Sequence, residues 1–404
     1  MEYSDLAAIA GFAFLYSLVA SRLEHSRLNG ALVYVLAGFA CGPHGLGWVN
    51  LQVGGEALKT LAELTLALVL FTDSAGTNLA TLRRIRQIPI RLLAIGLPLT
   101  ILAGGLLGHL VFPELGVFEV ALLATILAPT DAALGKAVVT NRVVPETVRG
   151  SLNVESGLND GICVPVLLFF LALVTGDSES SHAAELMAKL SFEAIGIGVL
   201  VGVSGGYLGS RMLRSASAGR WMGRAWMQIP VIALALLCFA TAQALEGSGF
   251  IACFVAGLVF AAVETGQKED FLDAAEGVGN SMALVTWFAI GGATIGLTWE
   301  HLDARIVLYA VLSLTVVRIL PVILSLAGLG LRTDTKLFMG WFGPRGLASI
   351  VFMVLVHDQA IAGDRILVPT VTVTILLSVL LHGLSANPLA QKYGDRIAQN
   401  HEVI

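Results

Sequence analysis

The sequence contains few charged residues: Asp, Glu, Lys and Arg make up 13% of 404 residues, and aromatic residues only 7%. Hydrophobic residues make up 56%, and the mean hydropathy is +0.82. This composition excludes an ordinary water-soluble protein. The net charge of −5 excludes nucleic-acid binding as a main role, because that binding depends on an excess of basic residues. We therefore expect a polytopic membrane protein.

Signals for disulfides, structural metals and enzymatic nucleophiles are also missing. The four cysteines lie in apolar stretches, and the eight histidines never recur at three- or four-residue helical spacing. A G-x-S-x-G pattern at 202–206 lies within an apolar span on a glycine ladder, which is typical of helix packing and not of a hydrolase. We therefore predict no cofactor and no enzymatic activity.

Thirteen segments approach the roughly 20 apolar residues that a membrane helix needs. Eighteen of the 24 basic residues lie on one side of the resulting topology, four lie on the other, and two lie inside spans. The positive-inside rule then places the N-terminus outside and the C-terminus in the cytoplasm. The predicted spans are 3–21, 30–46, 57–73, 89–111, 117–139, 150–175, 188–210, 226–245, 249–263, 279–297, 305–328, 335–356 and 366–385.

Two of these spans contain a proline beside a charged residue near the middle. The fifth span carries Ala128-Pro129-Thr130-Asp131, and the twelfth carries Phe342-Gly343-Pro344-Arg345-Gly346. Proline interrupts a helix, and the freed backbone groups are tolerated in lipid only where protein or a wet cavity satisfies them. The two spans cross the membrane in opposite directions, which is the pattern of a secondary transporter with a midplane site. Ordinary proline kinks would explain the prolines alone, but not the charges beside them.

Five charged residues are predicted near mid-depth. Each costs about 2.5–3.5 kcal/mol on insertion scales, so they must face one another or a wet cavity. Arginine does not deprotonate, so three acids and two arginines leave one carboxylate that can titrate. A carboxylate that holds either a proton or a cation exchanges one for the other, and a single such group makes the exchange electroneutral. The five are Asp131, Glu155, Asp160, Arg318 and Arg345, whereas Asp73 is expected to be interfacial.

The sixth span places its polar residues on two neighbouring helix faces. Ser156 and Asp160 share one face, and Glu155 and Asn159 share the adjacent face. The first face offers oxygen ligands for a hard monovalent cation, and Glu155 on the second is placed to neutralise an arginine. Glycines at 157 and 161 allow another backbone to approach closely.

Four motifs make the sequence resemble the monovalent cation:proton antiporters over nearly its whole length. The chain is most similar to the electroneutral branch, which contains bacterial NhaP-type and animal sodium/proton exchangers. The motifs are PTDAALG at 129–135, ESGLNDG at 155–161, VVRILPV at 316–322 and WFGPRGLAS at 341–349.

The resemblance implies an all-α membrane protein of about thirteen helices, with inverted repeats and two crossed discontinuous helices. It implies a homodimer in the cell membrane that works by alternating access. Residues 1–88 and 211–300 would form the dimerisation part, 89–176 and 301–385 the ion-carrying core part, and 386–404 a short cytoplasmic tail.

The resemblance also implies roles for individual residues. Asp160 would bind the cation and the proton in turn, and Asn159 stands where electrogenic relatives have a second aspartate. No span has the mid-depth lysine of those relatives, which also indicates electroneutral exchange. Ala132 departs from the proline that many members have after the aspartate. The other implied site residues are Thr130 (by its carbonyl), Asp131, Ser156 and Glu155, with Arg318 paired to Glu155 and Arg345 compensating charge at the helix crossing.

The transported cation is expected to be sodium or lithium. Potassium or broad monovalent specificity is an alternative, and a passive cation channel is a second class of function, since wet carboxylates between broken helices can line a pore. Saturable exchange coupled to protons distinguishes an antiporter from a channel, which carries a voltage-driven current. A membrane aspartyl protease would leave the arginines and the two opposed breaks unexplained.

Overall fold

The computed structural model describes residues 3–24, 30–49, 55–77, 85–131, 134–175, 181–219, 221–223, 226–263 and 268–401. These residues form helices and connecting segments. Seven of the helices in the described part are long and apolar enough to cross a membrane, and five shorter ones are also apolar. Each of the thirteen predicted spans corresponds to one of the elements below, so the prediction of an all-helical membrane protein is confirmed.

In chain order the elements are α1 (Tyr3–Glu24), α2 (Gly30–Cys41), α3 (Glu56–Gly76), α4 (Gln87–Val111), α5a (Val117–Ile126), α5b (Lys136–Val139), α6 (Glu146–Thr175), α7 (Ser181–Ala218), α8 (Pro230–Ala244), α9 (Gly249–Val263), α10 (Lys268–Glu300), α11a (Ala304–Leu314), α11b (Val316–Ser325), α12a (Thr333–Trp341), α12b (Leu347–His357) and α13 (Asp364–His401).

The helices pack in two groups. In the first group α2, α3 and α10 pack together, and α9 joins α3 to α7 and α8. In the second group α4 packs on α5a, α5a on α6, and α11 on α12a and α13. The groups meet where α3 and α9 contact α6, where α3 contacts α12b, and where α10 contacts α13. The two interrupted helices and α6 therefore belong to one group, with α3 facing them from the other.

Both predicted interruptions occur at their prolines. Helix α5a ends at Ile126, and only the short α5b follows; α12a ends at Trp341 and α12b begins at Leu347. The helix of the last span continues past the predicted boundary at 385 to His401, so the start of the predicted tail is helical. Tyr393 in this extension stacks on Phe338 of α12a with ring centroids 4.3 Å apart.

Candidate functional site

The site is built on α6, which stays helical across its polar segment. Glu155, Ser156, Asn159 and Asp160 are all buried there, with exposed fractions of 2%, 6%, 1% and 8%. Because the helix is uninterrupted, the spacing of these residues fixes the direction in which each side chain points. They face the two helix breaks and α11b.

The break in α5 uses α6 to satisfy its freed groups. Ser156 Oγ donates to the Thr130 carbonyl at 2.5 Å, and Asn159 Nδ2 donates to Thr130 Oγ1 at 2.7 Å. Asn159 and Ser156 therefore both bind Thr130. The helical spacing had placed Asn159 on the face of Glu155, but the two side chains have different partners. Thr130 itself is buried. The hydrogen bonds explain how a non-helical backbone is tolerated at this depth.

The two breaks lie against each other at Asp131. Its backbone N–H donates to the Pro344 carbonyl at 2.8 Å, and its Oδ2 accepts from the Leu347 N–H at 3.0 Å. Its Oδ1 accepts from the Leu134 N–H at 3.1 Å. Asp131 therefore caps the N-terminus of α12b, where negative charge is favourable. A methyl group at Gly346 would overlap the Asp131 carboxylate, so this glycine is needed for the approach.

Arg345 is directed at backbone carbonyls. It is fully buried, and its Nη1 donates to the Ala128 carbonyl at 2.8 Å and the Pro129 carbonyl at 3.2 Å. These carbonyls follow the C-terminus of α5a, where a positive charge is favourable. The count of acids against arginines in the sequence did not predict that Arg345 would bind backbone carbonyls.

Glu155 and Arg318 form a bidentate ion pair. Arg318 Nη1 and Nη2 donate to Glu155 Oε1 and Oε2 at 2.7 Å and 2.9 Å, and each side chain is 3% exposed. A methyl group at Gly343 would overlap the Arg318 guanidinium, so the first glycine of the α12 break makes room for this arginine. The pair therefore joins α6 and α11b beside the break.

Asp160 differs from these anchored carboxylates. Its Oδ1 and the Asn159 Oδ1 are buried and have no hydrogen-bond partner among the described residues. Buried acceptors without donors are rare and costly, so two such oxygens beside the breaks are suited to a cation. With the Ser156 hydroxyl and the Thr130 carbonyl, the oxygen-only set fits a hard monovalent cation and not a soft metal.

A small pocket of about 10 Å³ lies beside Thr130 and Ser156. It is lined by Thr130, Asp131, Gly135, Val138, Val139, Leu152, Ser156, Phe342 and Pro344, and Asn159 and Asp160 are not among its lining residues. Residues of α5, α6 and the α12 break therefore meet at this pocket.

The sequence did not predict the neighbours of Asp73. This residue of α3 lies against Gly157 of α6, where an added Cβ would be 3.6 Å from the Asp73 carbonyl. Its side chain is accessible to solvent and close enough to Asp131 and Asp160 to interact with both electrostatically. Gly157 predicted that another backbone approaches α6 at this point, but the sequence did not show that the approaching segment is α3 at Asp73. Ala132, the departure from the family pattern, lies outside the described residues.

Comparison with known proteins identifies a family and several relatives of this chain. The family model described as "Sodium/hydrogen exchanger, transmembrane" matches residues 9–392. The chain is 24% identical over 393 residues to the K(+)/H(+) antiporter NhaP2 of Shewanella sp. (strain MR-4), covering 95% of this chain and 66% of that protein. It is 25% identical over 312 residues to the Na(+)/H(+) antiporter of Schizosaccharomyces pombe, covering 70% of this chain and 66% of that protein. The chain thus spans slightly less than two thirds of the length of these relatives.

Solved structures share the fold. The sodium proton antiporter MjNhaP1 from Methanocaldococcus jannaschii at pH 8 superposes with a TM-score of 0.71 at 20% identity, covering 94% of this chain and 98% of that one. An electron-microscopy structure of the same antiporter gives a TM-score of 0.78 at 21% identity, with 97% and 98% covered. The overall fold of the chain is therefore shared with this solved antiporter.

Proposed function

Because the chain belongs to the sodium/hydrogen exchanger family, we propose that it is a secondary active antiporter that exchanges a monovalent cation for a proton. The observation that carries the proposal is the pair of buried, unpartnered oxygens of Asn159 and Asp160 beside two mutually capped helix breaks. Transport of this kind involves no covalent step, and the cation and the proton are cargo.

Asp160 is the group that carries cation and proton in turn. In its charged form it binds the cation together with the Asn159 amide oxygen, the Ser156 hydroxyl and the Thr130 carbonyl. When the cation leaves, a proton neutralises the carboxylate, and the neutral site crosses to the other side. An unoccupied, charged Asp160 would be costly in a low-dielectric environment, which couples the two ions.

The exchange is electroneutral in this proposal. Arg318 neutralises Glu155, and backbone N–H groups hold both oxygens of Asp131. Asn159 is uncharged. Of the three carboxylates that α5 and α6 contribute to the site, Asp160 then remains to alternate between a cation and a proton, so one positive charge moves each way per cycle.

Sodium or lithium is the proposed cation, because an all-oxygen site with a carboxylate suits a small, hard ion. Potassium is the second candidate. It is supported by the name of the Shewanella relative, a K(+)/H(+) antiporter. The chain is further proposed to work as a homodimer in the cell membrane, with its N-terminus outside and its C-terminus in the cytoplasm. Residues 1–88 and 211–300 would provide the dimer part, and 89–176 and 301–385 the moving part.

The test is proton movement in proteoliposomes that hold a pH gradient, with the membrane voltage clamped. Sodium, lithium or potassium chloride is added in turn to wild type, to Asp160→Asn and to Asp395→Asn. Asp395→Asn is the matched control, since Asp395 lies on the exposed end of α13 and accepts from Gln391. We expect wild type and the control to exchange, and Asp160→Asn to be folded but inactive.

The same experiment separates the alternatives. Exchange that saturates and is insensitive to voltage establishes an electroneutral antiporter and identifies the ion. A voltage-driven current without proton coupling would indicate a channel. Wild-type rates in Asp160→Asn would reject the role of Asp160.

A further inference from the structure

A buried histidine on α13 lies against the α12 break. His382 is 1% exposed and lies on one face of α13 with Ser378, four residues earlier, and Ser385, three residues later. Buried polar side chains need hydrogen-bond partners, and all three find theirs at or beside the α12 break.

His382 and Ser378 bind the two ends of the break. His382 Nε2 lies 2.9 Å from the carbonyl of Trp341, the last residue of α12a. The Arg345 N–H, two residues before α12b, donates to Ser378 Oγ at 2.7 Å. The Arg345 N–H is therefore satisfied by α13, whereas the Trp341 carbonyl also accepts from the Gly343 N–H at 2.9 Å and gains a second polar partner in His382.

The imidazole is fixed on both edges. A neutral imidazole carries one hydrogen, and a carbonyl lies beside each of its nitrogens. With the hydrogen on Nε2, the ring donates to the Trp341 carbonyl, and Nδ1 accepts from Ser378 Oγ at 3.1 Å. With the hydrogen on Nδ1, the ring donates to the Ser378 carbonyl at 2.9 Å. Only the first tautomer links His382 to α12a by a hydrogen bond. The ring also contacts the Trp341 indole, with centroids 5.0 Å apart. His382 thus links its own helix to the end of α12a.

The position of the break in turn sets the geometry of the site. Pro344, just before Arg345, accepts the hydrogen bond from the Asp131 N–H, and Leu347, two residues after Arg345, donates to the Asp131 carboxylate. Asp131 follows Thr130, whose carbonyl belongs to the cation site proposed above. A shift of the break would therefore move Asp131 and Thr130 relative to Ser156 and Asp160.

We propose that His382, acting with Ser378, is a positioning residue for the cation site: it fixes the α12 break so that Asp131 and Thr130 keep their binding geometry. The inference rests on the proposed exchange function. It assigns His382 no contact with the ion, and it requires the effect to appear in apparent cation affinity as well as in stability.

The experiment compares four variants in proteoliposomes, with sodium and potassium chloride as the probes. His382→Phe keeps a ring without hydrogen bonds, His382→Gln restores an amide donor, and Ser378→Ala removes the partner of Arg345. Ser385→Ala is the matched control: Ser385 lies on the same face of α13 but accepts from the Trp341 indole Nε1 and not from the backbone of the break. The cation concentration for half-maximal exchange and the cation-induced rise in melting temperature are measured for each.

We expect Ser378→Ala to raise the half-maximal cation concentration about tenfold, because the buried Arg345 N–H loses its partner and a small displacement of the break weakens the site. His382→Phe should have an effect of the same size, because the polar link from α13 to the end of α12a is lost. His382→Gln and Ser385→Ala should stay within about twofold of wild type. If His382→Phe does not fold, Ser378→Ala and His382→Gln decide the question.

Unchanged apparent affinity in Ser378→Ala and His382→Phe, whatever their melting temperatures, would overturn the positioning role while leaving the exchange function intact. No cation-dependent exchange by wild type would overturn both proposals.

Discussion

Removing one partner of the Glu155–Arg318 pair should destabilise the protein more than removing both. Both side chains are 3% exposed, and two short hydrogen bonds join them. Taking away one partner leaves a buried charge uncompensated, which costs about 3–5 kcal/mol. We therefore expect Arg318→Met and Glu155→Gln each to lower the free energy of unfolding by that amount.

The double variant should recover much of the loss. Without either charge there is no ion left to desolvate, so the two effects do not add, and we expect a coupling free energy of about 3 kcal/mol. Free energies of unfolding are measured by titrating each variant with SDS in mixed micelles. Arg318→Met in the Glu155→Gln background is the decisive comparison.

An exposed ion pair in the same protein provides the control. Arg305 and Glu114 are joined at 2.9 Å, but their side chains are 49% and 41% exposed. Solvent screens such a pair, so Arg305→Met and Glu114→Gln should show no measurable coupling. Additive effects at Glu155 and Arg318, like those of the control, would refute the argument that burial makes the pair interdependent.

Two further predictions concern charges near the ends of helices. Lys59 of α3 and Asp358, just after α12b, form a 2.6 Å ion pair between the two helix groups. If both residues are replaced by cysteine and joined with a reducible thiol cross-linker, exchange in proteoliposomes should stop until the cross-link is reduced. Uninterrupted exchange would show that the groups do not separate there. A hydrogen bond from the Arg305 side chain lowers the pKa of Asp303, the N-cap of α11a. The stabilising effect of the Asp303 carboxylate is therefore present above the unfolded pKa of about 3.9, and it is lost as the pH falls through the pKa of the folded state. The difference in melting temperature between wild type and Asp303→Asn should therefore shrink below about pH 4, and a constant difference would contradict this.

The helix breaks and the polar faces of α6 were predictable because each depends on local chemistry. Proline removes a backbone donor wherever it stands, and Pro129 and Pro344 mark both interruptions. Helical periodicity places Ser156 and Asp160 on one face without knowledge of their partners. The direction in which Glu155 points also follows from this spacing.

The partners themselves were less predictable, because they are distant in sequence. Arg345 binds carbonyls that lie 217 and 216 residues earlier, and a count of charges gives no reason to prefer a carbonyl to a carboxylate. Asp73 was expected near the membrane–water interface because it lies near the end of its span. No local signal predicted that α3 packs on α6 and brings Asp73 to Gly157. His382 carries no local signal beyond being a polar residue in an apolar span.

In the proposed exchange cycle, the mutual capping of the breaks constrains how the site could be exposed to each side of the membrane in turn. Four hydrogen bonds join α5 to the α12 break: Asp131 to Pro344, Leu347 to Asp131, and Arg345 to Ala128 and to Pro129. Separating the breaks would leave buried polar groups unpaired at about 1–3 kcal/mol each. Moving α4, α5, α6, α11, α12 and α13 together preserves all of these bonds and the Glu155–Arg318 pair. It disturbs instead the contacts of this group with α3, α7, α9 and α10, including the partly exposed Lys59–Asp358 pair. An exposed pair is worth only about 0–1 kcal/mol, so breaking it adds little to the cost of moving the site as an intact unit.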